Sequence, residues 1–170
     1  MMIRKAAITD LESLQAFARS TFADTYGKYN TAADMQHYHD EVFSTANFKK
    51  DLQSAHVLYY LIEENKELAG YIKLNLSPAQ TDLNDPRSLE LERIYVAAFT
   101  KGKGLGKRLL QTAVEVAEEH KKEYLWLGVW EQNEAAIRFY QKNGFVAFDT
   151  HVFLLGTDPQ KDILMKKMLN

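Results

Sequence analysis

A mixed α/β domain with one layered core is the fold class this sequence predicts. Three observations carry the prediction. Strand-like and helix-like segments follow one another as β, three α, three β, α, β, α and two β, about seven strands in all. No stretch reads as a linker, a repeat or a low-complexity tract, so residues 1–170 are taken as a single domain. Hydrophobic residues make up 46% of the 170 and charged residues 26%, a globular balance at a length that buries a real core.

The elements follow in order. Residues 2–8, MIRKAAI, open as a short strand. Thr9 or Asp10 then caps a helix strengthened by Glu12, and Leu11, Leu14, Phe17, Ala18 and Phe22 recur at helical spacing. Two more helices are expected over 31–43 and 45–54, each opened by a Thr or Ser cap. HVLYYLIEENKELAGYIKLNLS reads as a hairpin of strands 56–63 and 67–76 about a turn at Glu64-Asn65-Lys66. TDLNDPRS is a polar loop, and the alternating, β-rich LELERIYVA makes a strand near 88–97. A helix follows at about 104–120, with an apolar stripe of Leu105, Leu109, Leu110, Ala113, Val116 and Ala117. EYLWLGVW is a strand over 123–130. Asn133 caps a short helix that stops at Gly144, where a glycine commonly follows a helix end. FVAFDTHVFLLG and KDILMKKML complete the sheet.

Composition also excludes. A net charge of −2 gives no basic field, so nucleic acid is not the expected partner. There are no cysteines, which removes disulfides, zinc thiolates and thiol catalysis. No run approaches the roughly 20 apolar residues of a membrane span. The stretch MMIRKAAITDLESL lacks the apolar core of a signal peptide. A soluble, cytoplasmic protein without a membrane partner is expected.

The stretch FTKGKGLGKRLLQTA, 99–113, concentrates flexible and cationic residues at the mouth of a helix. A phosphate-binding P-loop would need Gly at 101 and Ser or Thr at 108, but these are Lys101 and Arg108. A dinucleotide fingerprint fails because Gly106 comes one position early and no second βαβ unit follows. What survives is the physics. A helix start presents unpaired N–H groups with a partial positive charge, and glycines let the backbone wrap an anion. Lys101, Lys103, Lys107 and Arg108 add charge, which suits a phosphate or pyrophosphate. The bland reading is a solvated glycine turn.

Further segments join this loop in order: the strand LERIYV, then Lys101-x-x-Gly104-x-Gly106, the strand LWLGVW, and NEAAIRFYQKNGF. Together they resemble the Gcn5-related N-acetyltransferases (GNAT), whose signature is Gln/Arg-x-x-Gly-x-Gly/Ala between a strand and a helix. The resemblance covers about 1–168 and is strongest over 88–146; Lys101 departs from the signature but keeps its charge. LERIYV and WLGVWEQNEAAIRFYQKNGF further resemble the PaiA-type polyamine acetyltransferases. The resemblance implies a mixed, mostly antiparallel sheet splayed in the middle, with a thioester in the gap. It implies acetyl-CoA as co-substrate, with no metal. Its pyrophosphate would lie on Gly102, Lys103, Gly104, Leu105, Gly106 and Lys107 beside Lys101, and its pantetheine would pair with Ile94, Tyr95 and Val96. Asn133 reads as an N-cap, a pantetheine contact, or both. Lys142 reads as a phosphate contact or a solvated lysine. Gly128 marks close approach of another group, or a bulge.

Acetyl transfer to an amine needs two proton movements. Freeing the lone pair of an amine of pKa near 10 at pH 7 costs about 4 kcal/mol. The resemblance implies Tyr140 as the acid that reprotonates the departing thiolate, one helical turn beyond Ala136. For the base Glu92 is preferred, then Glu90; ideal alternation places both on one face with Ile94 and Val96 unless a bulge intervenes. A salt bridge to Arg93 is the alternative role, and many relatives use a water chain instead. His37 and His39, two apart on a helix, lie on different faces and make a poor metal pair. His151 reads as a satisfied core histidine, and Trp126 and Trp130 as core or as walls of an acceptor tunnel. The region 22–43 mixes Asp24, Asp34, Asp40 and Glu41 with Tyr26, Tyr29 and Tyr38, which suits a polycation or a plain solvated helix pair.

The function expected is acetyl transfer to a small-molecule primary amine, a polyamine such as spermidine or spermine. The rivals are a peptide N-terminus or another small amine as acceptor, and a non-catalytic CoA-binding regulatory module. Dimers are common in the resembled superfamily, so a homodimer is an expectation to which the sequence assigns no interface.

Overall fold

A computed structural model describes residues 1–155 and 157–170. Seven strands form one sheet: β1 (Met2–Lys5), β2 (Val57–Glu64), β3 (Glu67–Asn75), β4 (Ser88–Val96), β5 (Tyr124–Trp130), β6 (Val146–Leu155) and β7 (Asp158–Met168). Their spatial order is β1-β2-β3-β4-β5-β7-β6. All neighbours are antiparallel except β4 and β5. The expected α/β class with a mostly antiparallel mixed sheet is what is found. Gly156, the last residue of the expected strand FVAFDTHVFLLG, lies outside the described residues.

The helices are α1 (Leu11–Tyr26), α2 (Ala32–Glu41), α3 (Thr45–Gln53), α4 (Leu105–Glu119) and α5 (Glu134–Lys142). Thr31 and Ser44 cap α2 and α3 through their side-chain oxygens, as expected. The start of α1 differs. β1 ends at Lys5, a 3-10 turn over Ile8–Asp10 intervenes, and the Asp10 carboxylate is taken by Arg4 at 2.8 and 2.9 Å. Asp10 is the N-cap residue of α1 as expected, but its carboxylate accepts from the Ala7 N–H and from Arg4 and not from the N–H groups of α1, which ties β1 to the first helix. At the hairpin, Asn65 and Lys66 both have positive φ, as a tight two-residue turn requires.

Two clusters sandwich the sheet. One joins α4, through Leu105, Leu109 and Ala113, to Leu74, Leu89, Leu91 and Leu127. The other joins α1–α3, through Leu14, Phe22, Met35 and Phe48, to Tyr59, Leu61 and Tyr71. Fully burying such side chains stabilises by about 1.5–3 kcal/mol each.

The feature that makes a site lies between β4 and β5. They pair only over Ser88–Glu90 and Tyr124–Trp126, although both strands continue to Val96 and Trp130. A bulge in β4 accompanies the parting: Lys73 pairs with Arg93, but Leu74 pairs with Leu91, so Glu92 is the extra residue. A bulge bends its strand and increases twist. It also resets the faces, which corrects the expectation from ideal alternation. Ile94 and Val96 pack with the α4 cluster, whereas Tyr95 joins the α1–α3 cluster. Glu90 and Glu92 face the second side, around Asn75 and Lys73, and do not share a face with Ile94 and Val96.

Candidate active site

The parted strands frame a cleft of about 240 Å³. Ile94, Tyr95 and Val96 form one wall, and Gly128, Val129 and Trp130 the other. From α5, Asn133, Ala136 and Tyr140 close one side. Residues 92–96 are half-buried although β4 is central in the sheet, because β5 has left that edge. The structure thus brings together most of the residues expected at a thioester: Ile94, Tyr95, Val96, Asn133 and Tyr140, with Lys101 at the mouth.

Tyr140 is 7% exposed, and among the described residues its hydroxyl makes no hydrogen bond. Burial, then the Tyr26 hydroxyl, raises its pKa above the ordinary value. The phenol therefore keeps its proton through the neutral range. Asn133 caps α5, its Oδ1 accepting from the Ala136 N–H at 3.2 Å, and it lines the cleft.

At the start of α4, Gly102 and Gly104 have φ of +84° and +77°, and a Cβ built at either would meet nothing within 4 Å. Glycine is therefore needed for the backbone conformation, and open space lies over the loop. Beneath it are the first-turn N–H groups of α4, which have no helical partner. Lys101 and Lys107 are exposed beside them, while Lys103 is drawn to Glu64 at 3.1 Å. An adjoining groove of about 290 Å³ is lined by Lys107, Arg108 and Lys167. Lys142 is exposed at the end of α5 and does not line that groove. Sequence reading missed Lys167, whose place depends on β7 passing beside the α5 end; its Nζ donates to the Asn143 carbonyl at 2.9 Å.

On the α1–α2 side lies a second cavity of about 350 Å³. It shares Tyr26, Glu92, Arg93, Tyr95 and Gly128 with the cleft, so the two adjoin. Phe22, Tyr26, Tyr38 and Trp126 supply aromatic walls. The Trp126 Nε1–H donates to Gln80 at 3.1 Å, and Gln80 Nε2 reaches the Ser88 carbonyl, pinning the 77–87 segment across the sheet. Trp130 sits against Tyr29 and Tyr26, with ring centroids 4.9 and 5.4 Å away.

Carboxylates dominate the polar lining. Glu92 receives Lys73 Nζ at 2.5 Å and Asn75 Nδ2 at 3.2 Å. Burial pushes its pKa up, but the Arg93 charge and the Lys73 contacts outweigh this and bring it to about 2. Such a carboxylate has little affinity for a proton, so the environment does not suit the base role the sequence suggests. Glu90 is buried, with hydrogen bonds from Asn75, the Thr81 N–H and the Thr81 hydroxyl. Burial, then the Glu92 charge, raises its pKa. Asp162 of β7 completes the set, pushed up to about 6 by burial, with His151 opposing. Lys73 pairs with Asp51 and Glu92, which leaves Glu90 and Asp162 as the cavity carboxyls that no lysine or arginine contacts among the described residues, with His151 beside Asp162.

Sequence reading missed Asp162 and Thr81, and underrated His151. Gly128 was the available signal. The register of β5 with β7 is continuous, so no bulge sits there. A Cβ at Gly128 would lie 3.0 Å from Asp162 Oδ2, which identifies the approaching group. The acidic residues of α2 behave as solvated surface: Asp40 and Glu41 are exposed, and Asp34 accepts from Thr157 N–H at 3.1 Å. His37 is exposed, and His39 packs edge-on to Phe22 and Phe43. Among the described residues no cluster of three or more His, Cys, Asp or Glu could hold a metal, and no helix is long and apolar enough to cross a membrane.

Comparison with known proteins agrees with this geometry. The profile of the acetyltransferase (GNAT) family matches residues 17–145. An uncharacterized N-acetyltransferase of the pepI 3′ region of Lactobacillus delbrueckii subsp. lactis is 41% identical over 160 residues, 94% of this chain and 92% of that protein. The spermidine N(1)-acetyltransferase of Thermoplasma acidophilum is 27% identical over 152 residues, 87% of this chain and 89% of that protein. The crystal structure of the PaiA N-acetyltransferase from T. acidophilum, in complex with coenzyme A, aligns with a TM-score of 0.83 at 26% identity, covering 99% of this chain and 98% of that one.

Proposed function

Because the chain belongs to the acetyltransferase (GNAT) family, we propose that residues 1–170 form one transferase domain that acetylates a polyamine. The chain is an N-acetyltransferase with acetyl-CoA as co-substrate; the polyamine acceptor and the residue roles are our reading. The single observation that carries the acceptor is the second cavity. Two of its carboxyls, Glu90 and Asp162, stand among the rings of Phe22, Tyr26, Tyr38 and Trp126. Carboxylate charge attracts an ammonium, and aromatic faces bind one at about 0.5–2 kcal/mol each. The polyamine acetyltransferases among its relatives support the same acceptor.

The residues present fit acetyl-CoA. The N–H groups of Gly102, Gly104, Leu105, Gly106 and Lys107 would receive its pyrophosphate, beside Lys101 and Lys103. The β4 edge at Ile94, Tyr95 and Val96, left by β5, supplies strand-like hydrogen bonding for the pantetheine. Lys107, Arg108 and Lys167 offer charge to further phosphate, and Lys142 adds to the field from solvent. When bound, it supplies an activated acetyl thioester. Asn133 orients the acyl end, and Tyr140 Oη holds the proton that the leaving sulfur takes. The acetyl group passes directly to the amine in a ternary complex, and with no cysteine in the chain an acyl-thiol enzyme is excluded. Glu92 holds Lys73 and shapes the cavity wall.

The test is thiol release from acetyl-CoA, read with a thiol reagent to which the cysteine-free protein adds no background. Spermidine, spermine, putrescine, amino acids, a lysine peptide and an aminoglycoside form the panel. Saturable release with spermidine and spermine is expected, falling about 10²–10³-fold in kcat for Tyr140→Phe. Release with other acceptors alone would move the substrate. Acetyl-CoA binding without release from any acceptor would replace the transferase with a regulatory module.

A further inference from the structure

We propose that Asp162 takes the proton from the acceptor amine, and that His151, oriented by Asp82, carries it to solvent. This rests on the transferase reading above and goes beyond it in assigning the base.

Position is the first argument. Asp162 pairs with Trp130 across the β5–β7 ladder, but its carboxylate leans over the backbone of Gly128, where an added Cβ would lie 3.0 Å from Oδ2. Gly128 is two residues past Trp126, the last point at which β5 still holds β4. It lines both the cleft and the second cavity. Asp162 thus lines the second cavity beside Gly128, the residue it shares with the cleft. The missing side chain at 128 is what admits the carboxylate.

A route out is the second argument. His151 faces Asp162 in the β6–β7 register, with Nε2 3.9 Å from Oδ2. Its Nδ1 lies 2.6 Å from Asp82 Oδ2. An ionised carboxylate only accepts, so with Asp82 ionised Nδ1 carries the hydrogen, and Nε2 is the nitrogen left to exchange a proton on the Asp162 side. The His151 and Asp82 side chains are 28% and 38% exposed, so the far end of the relay is wet.

The other carboxylates are committed elsewhere. Glu92 is held by Lys73 and the Arg93 charge. Both Glu90 oxygens accept hydrogen bonds from Asn75 and Thr81. From the helices, Tyr26 and Tyr38 face Asp162 with phenols that burial keeps protonated. Tyr95 of β4 is held the same way. Burial of Asp162 brings its carboxyl to about 6, near working pH, where a general base is most effective.

The proton balance closes. An ammonium loses two protons in becoming an amide. The first passes to Asp162 Oδ2, then by way of one bridging water across the 3.9 Å gap to His151 Nε2, then to solvent. The freed lone pair forms the C–N bond as the C–S bond breaks, and the sulfur takes the Tyr140 proton. The second amine proton leaves and is matched by reprotonation of Tyr140. One proton is released per turnover.

The experiment is kcat/KM for the amine from pH 5 to 10 under saturating acetyl-CoA. A base that accepts from the bound ammonium gives wild type a plateau above an inflection near 6. Asp162→Asn is expected to lose the plateau and to rise with unit slope toward the amine's own pKa, about 10²–10⁴-fold slower at pH 7. His151→Gln is expected to move the inflection upward, because His151 in its protonated form favours the charged carboxylate. Glu92→Gln is expected to keep the inflection whatever its overall rate. A wild-type profile in Asp162→Asn, or loss of the plateau in Glu92→Gln instead, overturns the proposal. If Asp162→Asn does not fold, an unmoved inflection in His151→Gln overturns it. Wild type that turns over no amine overturns the transferase reading, a distinguishable failure.

Discussion

Replacing Glu92 by glutamine tests whether this residue stabilises the fold or performs chemistry. Its carboxylate is 21% exposed and receives Lys73 Nζ at 2.5 Å, while Lys73 also holds Asp51 at 3.0 Å. Glutamine keeps the shape and the Asn75 contact but leaves Lys73 and Arg93 with one carboxylate, Asp51, between them. Two routes give the magnitude. A carboxyl held from 4.5 down to about 2 contributes about 3 kcal/mol, at 1.36 kcal/mol per pH unit. Breaking a buried ion pair by removing one partner costs about 3–5 kcal/mol. Partial exposure favours the lower end, so a loss of about 2–3 kcal/mol is expected, or roughly 5–10 °C in Tm for a chain of this size. Because the folded-state pKa lies below the unfolded one, this stability is present above pH 4.5 and is lost as pH falls toward 2. Urea denaturation at pH 7 and near pH 3 reads both effects. Wild type should lose this contribution in acid and the variant should not. A variant within about 0.5 kcal/mol of wild type at pH 7, with the same decline in acid, would refute the reasoning.

Two further outcomes follow from the geometry. Gly104→Val forces a β-branched residue into φ +77° with no clash to relieve; it should cost about 1–2 kcal/mol and raise the Kd for acetyl-CoA at least tenfold by covering the N–H cradle, while the KM for the amine stays put, as titration calorimetry and steady-state kinetics would show. Asp162→Asn should stabilise the protein at pH 7, because burial raises the folded-state carboxyl from 3.8 to about 6 and wild-type stability therefore falls as pH rises through that window; the gain, about 1–3 kcal/mol by denaturant melts, should vanish below pH 3.8, and a destabilised variant at pH 7 would contradict it.

Most elements were legible because their signals are local. The stripe Leu105, Leu109, Ala113 and Val116 gives α4 whatever else happens, and Thr31, Ser44 and Asn133 cap helices within their own turns. Asp10 is the N-cap position of α1, but that its carboxylate is drawn to Arg4 was not legible, because Arg4 lies on the strand before the helix. Tyr140, Asn133 and the β4 edge were legible as a group because one run of chain, 88–146, carries them. Asp162 was not, being one of 23 acidic residues with no local mark.

The sequence by itself determined the order of elements, the glycine-rich, lysine-flanked loop at the start of α4 and the absence of cysteine chemistry. Each follows from residue type and spacing within a few turns of chain. The tertiary structure alone decided which carboxylates line the second cavity and in which direction their proton affinities move. The bulge at Glu92 turned two carboxylates away from Ile94 and Val96, Lys73 of the neighbouring strand fixed one of them as an ion pair, and β7 brought Asp162 over Gly128. A proton affinity depends on burial and on charges a few ångströms away. Here those charges come from residues 51, 73, 93 and 151, which only the folded sheet brings together.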